Sequence, residues 1–166
     1  MSRSPRADCL RSLAAVRVQQ ARATLPGIRK YAEVVDEALA EALALVPPAD
    51  DPMPTAPERG AAALIVLCGE HGFVGAFNER VLDRAAAELS GPDDRLLVIG
   101  TRGAALAAER RLPIGWTAPM ATQGDGVAEA ARRAAHEVYA RAAEGSITRA
   151  AIVYARSSGA RRPRSR

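Results

Sequence analysis

Two unbroken apolar runs constrain this chain more than anything else in it. "AAALIVLC" (61–68) and "RLLVIG" (95–100) have no polar alternation. A strand with that pattern is buried on both faces, so it needs cover above and below. Each run leads through a glycine-containing turn into an amphipathic segment, "FNERVLDRAAAEL" (77–89) and "TRGAALAAERR" (101–111). A weaker extended segment, "LPIGWTAP" (112–119), comes next. A third helical pattern, "GDGVAEAARRAAHEVYARAAEG" (124–145), places Asp125 where a cap would stand, and "ITRAAIVYAR" (147–156) reads as a last strand. Strand and helix in alternation predict an α/β fold with a mainly parallel, Rossmann-like sheet and flanking helices.

The N-terminal part is different. Leu10, Leu13, Val16 and Gln20 share one helical face. Tyr31, Val34, Val35, Ala38, Leu39, Ala42 and Leu43 recur at spacings of three and four, the mark of an amphipathic helix. Pro26 and Gly27 interrupt the pattern, which predicts a long helix kinked near Pro26 or two helices end to end. The segment "PPADDPMPTAPERG" (47–60) is rich in proline and acidic side chains and reads as an exposed linker. The expected organisation is a helix over 1–46, a linker over 47–60, an α/β domain over 61–156 and a disordered basic tail over 157–166.

Charge and cysteine usage narrow the function classes. The net charge is +4, carried almost wholly by arginine, and part of it sits in the terminal "RRPRSR". No aromatic residues interleave with that cluster, so nucleic acid is not an expected partner. Two cysteines, Cys9 and Cys68, provide no disulfide framework and fit an intracellular location. No apolar run approaches the ~20 residues that span a bilayer, and "MSRSPRADCL" lacks the apolar core of a secretory signal.

The turn "LCGEHGFVGAFN" (67–78) carries the candidate chemistry. Glycine-rich backbone between a strand and a helix can cradle a phosphate. The spacing of Gly69, Gly72 and Gly75 is not that of the dinucleotide fingerprint, no acidic residue ends the second strand, and no lysine follows as in a P-loop. Glu70 would repel a phosphate. Cys68 and His71 could form a nucleophile and base, but no third orienting group is apparent. Cys-x-x-His supplies only part of a zinc ligand set, and His136, beside Glu137, reads as a helix-surface residue. The favoured reading is a strand-to-helix turn in which Gly72 and Gly75 allow positive φ and close packing and Asn78 caps or bonds the turn. Catalytic, cofactor and metal residues are therefore expected to be absent. A small nucleotide-binding protein or enzyme using the Gly69–Gly75 turn is the alternative.

The order of these segments resembles the gamma subunit of F-type ATP synthases. "RSLAAVRVQQARATLPGIRKYAEVVDEAL" is similar to the later part of that family's N-terminal shaft helix, with its Arg/Gln stretch and a Tyr-Ala pair at Tyr31 and Ala32. "GFVGAFNERVL" is similar to the family's Gly-Leu-Cys-Gly-x-x-Asn turn: Gly72, Gly75 and Asn78 match, while Phe73 and Val74 stand where Leu-Cys is usual. "LLVIGTRGAALAAERRLPI" and "AAIVYAR" resemble its later strands. The resemblance covers roughly residues 10–156.

That resemblance implies a non-catalytic rotor of the central stalk, coupling proton or sodium flow to ATP synthesis or hydrolysis. The implied partners are the F1 alpha and beta subunits, the epsilon subunit and the membrane c-ring. The implied place is peripheral, at the cytoplasmic face of a bacterial inner membrane. Arg11, Arg17, Gln20, Arg22 and Arg29 are the expected partner-contact residues of the helix. The family also implies a long C-terminal helix; "ARSSGARRPRSR" does not resemble it, so a truncated or frameshifted copy is the expectation at that end.

Overall fold

A computed structural model of the chain describes residues 5–45, 60–72 and 74–156. The chain divides into two units, Met1–Met53 and Pro54–Arg166. The expected linker, except Gly60, and the expected tail lie outside the described residues.

The first unit shows one helix, α1, over Pro5–Ala44. It runs unbroken through Pro26, which excludes two helices end to end. Proline removes one i→i−4 bond and crowds the preceding turn. Good helix formers before the defect (Gln20, Ala21, Arg22, Ala23) and after it (Arg29, Lys30, Ala32) carry the helix across it. Every side chain described on it is exposed, including Leu25, Ile28, Tyr31, Val35 and Leu39.

The second unit is a four-stranded sheet in the order β3-β2-β1-β4, with β1 at Ala62–Leu67, β2 at Arg95–Ile99, β3 at Ile114–Ala118 and β4 at Arg149–Val153. All pairings are parallel. The intervening helices are α2 (Phe77–Glu88), α3 (Thr101–Glu109) and α4 (Gly126–Ala143). The two unbroken apolar runs become the central strands. Leu64 pairs with Leu96 and Val66 with Val98. Their side chains face Val81, Leu82 and Ala85 of α2 and Ala107 of α3. The alternate residues Ala63 and Leu97 face the other way, onto Ile147 with Trp116 and Val138. Each large side chain fully buried in this way contributes about 1.5–3 kcal/mol. The weaker runs become the edge strands, and most of β4 is exposed.

Asp125 does stand at the N-cap position of α4, but its side chain makes no capping bond. Its own backbone is already helical (φ −66°, ψ −27°), whereas a cap aims its side chain from an extended conformation.

The amino end of the sheet is fastened by a buried carboxylate. Asp94 is 3% exposed. Its oxygens accept the N–H groups of Ala62 (2.8 Å), Ser90 (2.7 Å) and Gly91 (2.9 Å). One side chain thus closes the α2–β2 turn and fixes the start of β1. The Ser90 N–H, ahead of the other donors, holds its carboxyl below the usual range against the opposing effect of burial.

Candidate functional site

The carboxyl ends of the strands are where an open α/β sheet holds a ligand, at the point where strand order reverses. Here that point lies between β1 and β4, and the glycine turn leaves β1 beside it. Two side chains of the turn accept backbone donors around it. Asn78, buried in the first turn of α2, accepts the Gly69 N–H through Oδ1 at 2.7 Å. Glu70 crosses to the next loop. Its carboxylate accepts the Thr101 N–H at 3.0 Å and the Thr101 hydroxyl at 2.7 Å, both at the start of α3. It also accepts the Met120 N–H, just past β3, at 2.8 Å.

Glu70 therefore occupies the anion position that the N-terminus of α3 offers. The Thr101 N–H is the main cause of its lowered pKa. Sequence reasoning treated Glu70 only as a repulsive charge near a phosphate. An acidic residue one turn past a strand, with a threonine opening the next helix, was the signal available.

The glycines divide by what surrounds them. Gly75 has φ +56°, a region that costs an L-residue about 1–2 kcal/mol. Gly72 has no positive φ, and a Cβ there would meet nothing within 4 Å. Of these two glycines, Gly75 alone uses positive φ. Gly75→Ala should lower stability by about 1 kcal/mol, and Gly72→Ala should stay within about 0.5 kcal/mol of the parent. Chemical denaturation of the two variants checks this.

Two further glycines matter more, and sequence reasoning passed over them. Gly100 has φ +120°, and a Cβ on it would lie 2.5 Å from the Cys68 carbonyl oxygen. A Cβ on Gly103 would lie 2.1 Å from Cys68 Cβ and 2.5 Å from its sulfur. They let α3 press directly on the end of β1.

That contact decides the chemistry of Cys68. It is 2% exposed, and burial pushes its thiol from 9.0 up to about 11. A nucleophilic cysteine needs the opposite shift. No hydrogen bond joins it to His71 among the described residues, and His71 is exposed. His136 is exposed on α4.

The sign of the Cys68 effect is testable. The thiol ionises more readily in the unfolded chain, so its contribution is fully present below pH 9 and is lost as pH rises towards 11. A shift of this size corresponds to about 2–3 kcal/mol at most. Cys68→Ala should flatten the alkaline fall of unfolding free energy relative to the parent. Identical slopes in the two proteins would refute the assignment.

The cleft at the strand-order reversal, about 290 Å³, is lined by Val74, Ala76, Phe77, Arg80, Val81 and Ala155. Among the described residues that line it, Arg80 is the one charged side chain, and there is no carboxylate pair, nucleophile or base. A larger cleft of about 420 Å³ lies at the amino end, around Gly60, Asp94 and Arg149. Its Asp94 is already committed to backbone. Among the described residues no cluster of metal-ligating side chains occurs, and no helix is long and apolar enough to cross a membrane.

Of the expected partner-contact residues, Gln20, Arg22 and Arg29 are exposed on α1. Arg11 and Arg17 lie on the same helix. These belong to the first unit and the turn to the second.

Among curated proteins none matches the chain. The family model described as ATP synthase matches residues 8–164, a span that includes most of α1, the turn and all four strands. The chain belongs to the ATP synthase gamma family.

Proposed function

We propose that this chain is a non-catalytic central-stalk subunit, a rotor that transmits ion-driven rotation to the ATP-handling subunits. Family membership supports a gamma-type subunit that assembles with the ATP synthase complex. The observation that carries the finer reading is α1: a helix of 40 residues whose described apolar side chains are all exposed. Isolated helices draw most of their stability from packing, so this one is built to be covered. In the proposed assembly its face lies against the F1 alpha and beta subunits. Arg11, Arg17, Gln20, Arg22 and Arg29 supply polar contacts there, and the α/β unit faces the epsilon subunit and the c-ring. The place of action is peripheral to a bacterial inner membrane, and the transported ion is a proton or sodium.

The closed turn supports the same reading from the opposite side. Its Gly69 N–H and the start of α3 are already satisfied by Asn78 and Glu70. Titration of the full chain with ATP or ADP should give no binding heat up to about 1 mM, an affinity limit of roughly 4 kcal/mol. Micromolar binding by the parent chain, tightened in Glu70→Ala as the start of α3 is vacated, would restore the nucleotide-binding alternative.

The direct test is co-expression with alpha and beta subunits. A tagged chain should retain both through size-exclusion chromatography. Recovery of the folded chain without either would contradict the proposal.

A further inference from the structure

Strand β4 is an unguarded edge. No strand lies beyond it among the described residues, and every residue of it except Val153 is exposed. Sheet edges are normally blunted by proline, bulges or covering side chains. The opposite edge strand, β3, follows Pro113, pairs with an irregularity in its register, and gives its Gly115 carbonyl oxygen to Arg141 at 2.9 Å. β4 contains no proline and pairs with β1 in an unbroken register. Its two faces differ. On one, Ile152 stands beside Ile65, and Ile152 and Tyr154 are 57% and 54% exposed. On the other, Ala151 stands beside Leu64 and Val153 beside Val66, towards α2. Arg84 of α2 and Arg156 line a cleft of about 340 Å³ on that side, with Leu64, Ala151 and Val153. Arg80, one turn earlier on α2, lines the next cleft along. The one acid in either lining, Glu88, is already paired with Arg84.

We propose that the β4 edge takes an extended segment of a partner chain as a fifth strand, a segment that alternates apolar and acidic residues. Backbone hydrogen bonds to the open edge supply the pairing, and side chains on the two faces supply the selectivity. Apolar residues of the segment lie beside Ile152 and Tyr154. The alternate residues fall on the α2 side, where Arg80, Arg84 and Arg156 call for carboxylates. Charge also excludes the nearer candidates. From Gly145 to Arg166 the chain carries no acid. A second copy laid antiparallel over residues 149–156 sets Arg149 of each copy against Arg156 of the other, and like charges directly opposite are destabilising. The chain's own acidic stretch, residues 47–60, has five prolines, which have no N–H to give to a ladder. The inference uses the α/β unit alone and stands independently of the rotor proposal.

The test uses the full chain and a fluorescent peptide of about ten residues, long enough to pass the whole strand, that alternates valine and glutamate. Fluorescence anisotropy should saturate with a midpoint of about 10–100 µM. Replacing every glutamate by lysine should weaken binding about tenfold or more. The protein variant Arg80→Glu with Arg84→Glu should weaken it similarly, with the near-ultraviolet signal of the α/β unit unchanged. Ile152→Glu, at an exposed position, should do the same.

Strand addition itself is read from the peptide backbone. An added strand donates to β4 from alternate residues only. Methylating the glutamate nitrogens in one peptide and the valine nitrogens in another should abolish binding in one case and spare it in the other. No anisotropy change up to about 500 µM peptide overturns the inference. So does an equal effect of the two methylations, which marks charge attraction without a ladder. A parent that sediments as two copies, and that Ile152→Glu returns to one, makes a second copy the occupant and overturns it as well. Failure to retain alpha and beta subunits would bear on the rotor proposal and leave these outcomes untouched.

Discussion

Gly103→Ala is expected to be among the most damaging small substitutions in the α/β unit. The added methyl would stand 2.1 Å from Cys68 Cβ. That atom belongs to the end of a central strand, held by the N–H of Cys68 donating to Ile99 O at 2.8 Å. Neither partner is a flexible side-chain tip, so α3 must move away from β1. Moving it disturbs the Glu70 contacts to Thr101, at the same end of the helix. Overpacking of this kind costs about 3 kcal/mol. In a domain of this size that lowers the melting temperature by roughly 10–20 °C. Cys68→Gly removes the clashing atom and should recover part of the loss in the double variant. Equal melting temperatures for parent and Gly103→Ala would contradict the packing described.

Asp94→Ala is expected to be comparably severe for a different reason. It leaves the N–H groups of Ala62, Ser90 and Gly91 without their partner. Ala62 is fully buried, so water cannot replace the carboxylate there. Unsatisfied buried donors cost about 1–3 kcal/mol each, and the sum is limited by how far water enters the Ser90–Gly91 turn. A loss of about 2–4 kcal/mol follows. Asp94→Asn keeps an acceptor oxygen and should lose less.

The acid side of the pH profile comes from the same groups. Asp94 and Glu70 both have lowered folded-state pKa values. The unfolded chain therefore binds protons first as pH falls. Their contribution is present above about pH 4, the unfolded carboxylate range, and is lost as pH drops through the folded values. Urea titrations of parent and Asp94→Asn between pH 7 and pH 3, across that range, should converge at the acid end.

The fold was legible where one segment's pattern suffices. "AAALIVLC" and the "LLVIG" of 96–100 had no charged residue to expose, which pointed to central strands. The stripe around Val35 and Leu39 marked α1 as one helix after Pro26. What stayed hidden depends on residues far apart in sequence. Glu70 meets Thr101 and Met120, and Asp94 meets Ala62, across separations that no local pattern encodes. Nothing in "GPDD" distinguishes Asp94, which is buried, from exposed Asp93. Gly103 carries no signal of its own in the sequence, because only the folded chain puts Cys68 beneath it. Conversely, Gly72 stood out by its spacing, yet the space around it is open.

Site-specific cross-linking from α1 tests the central claim most directly. A photoreactive residue at Ile28 or Val35, in the full chain co-assembled with alpha and beta subunits, should yield adducts with those subunits. The same probe at exposed Tyr139 of α4 should not. Adducts from Tyr139 to alpha or beta, with none from Ile28 or Val35, would contradict a shaft role for α1.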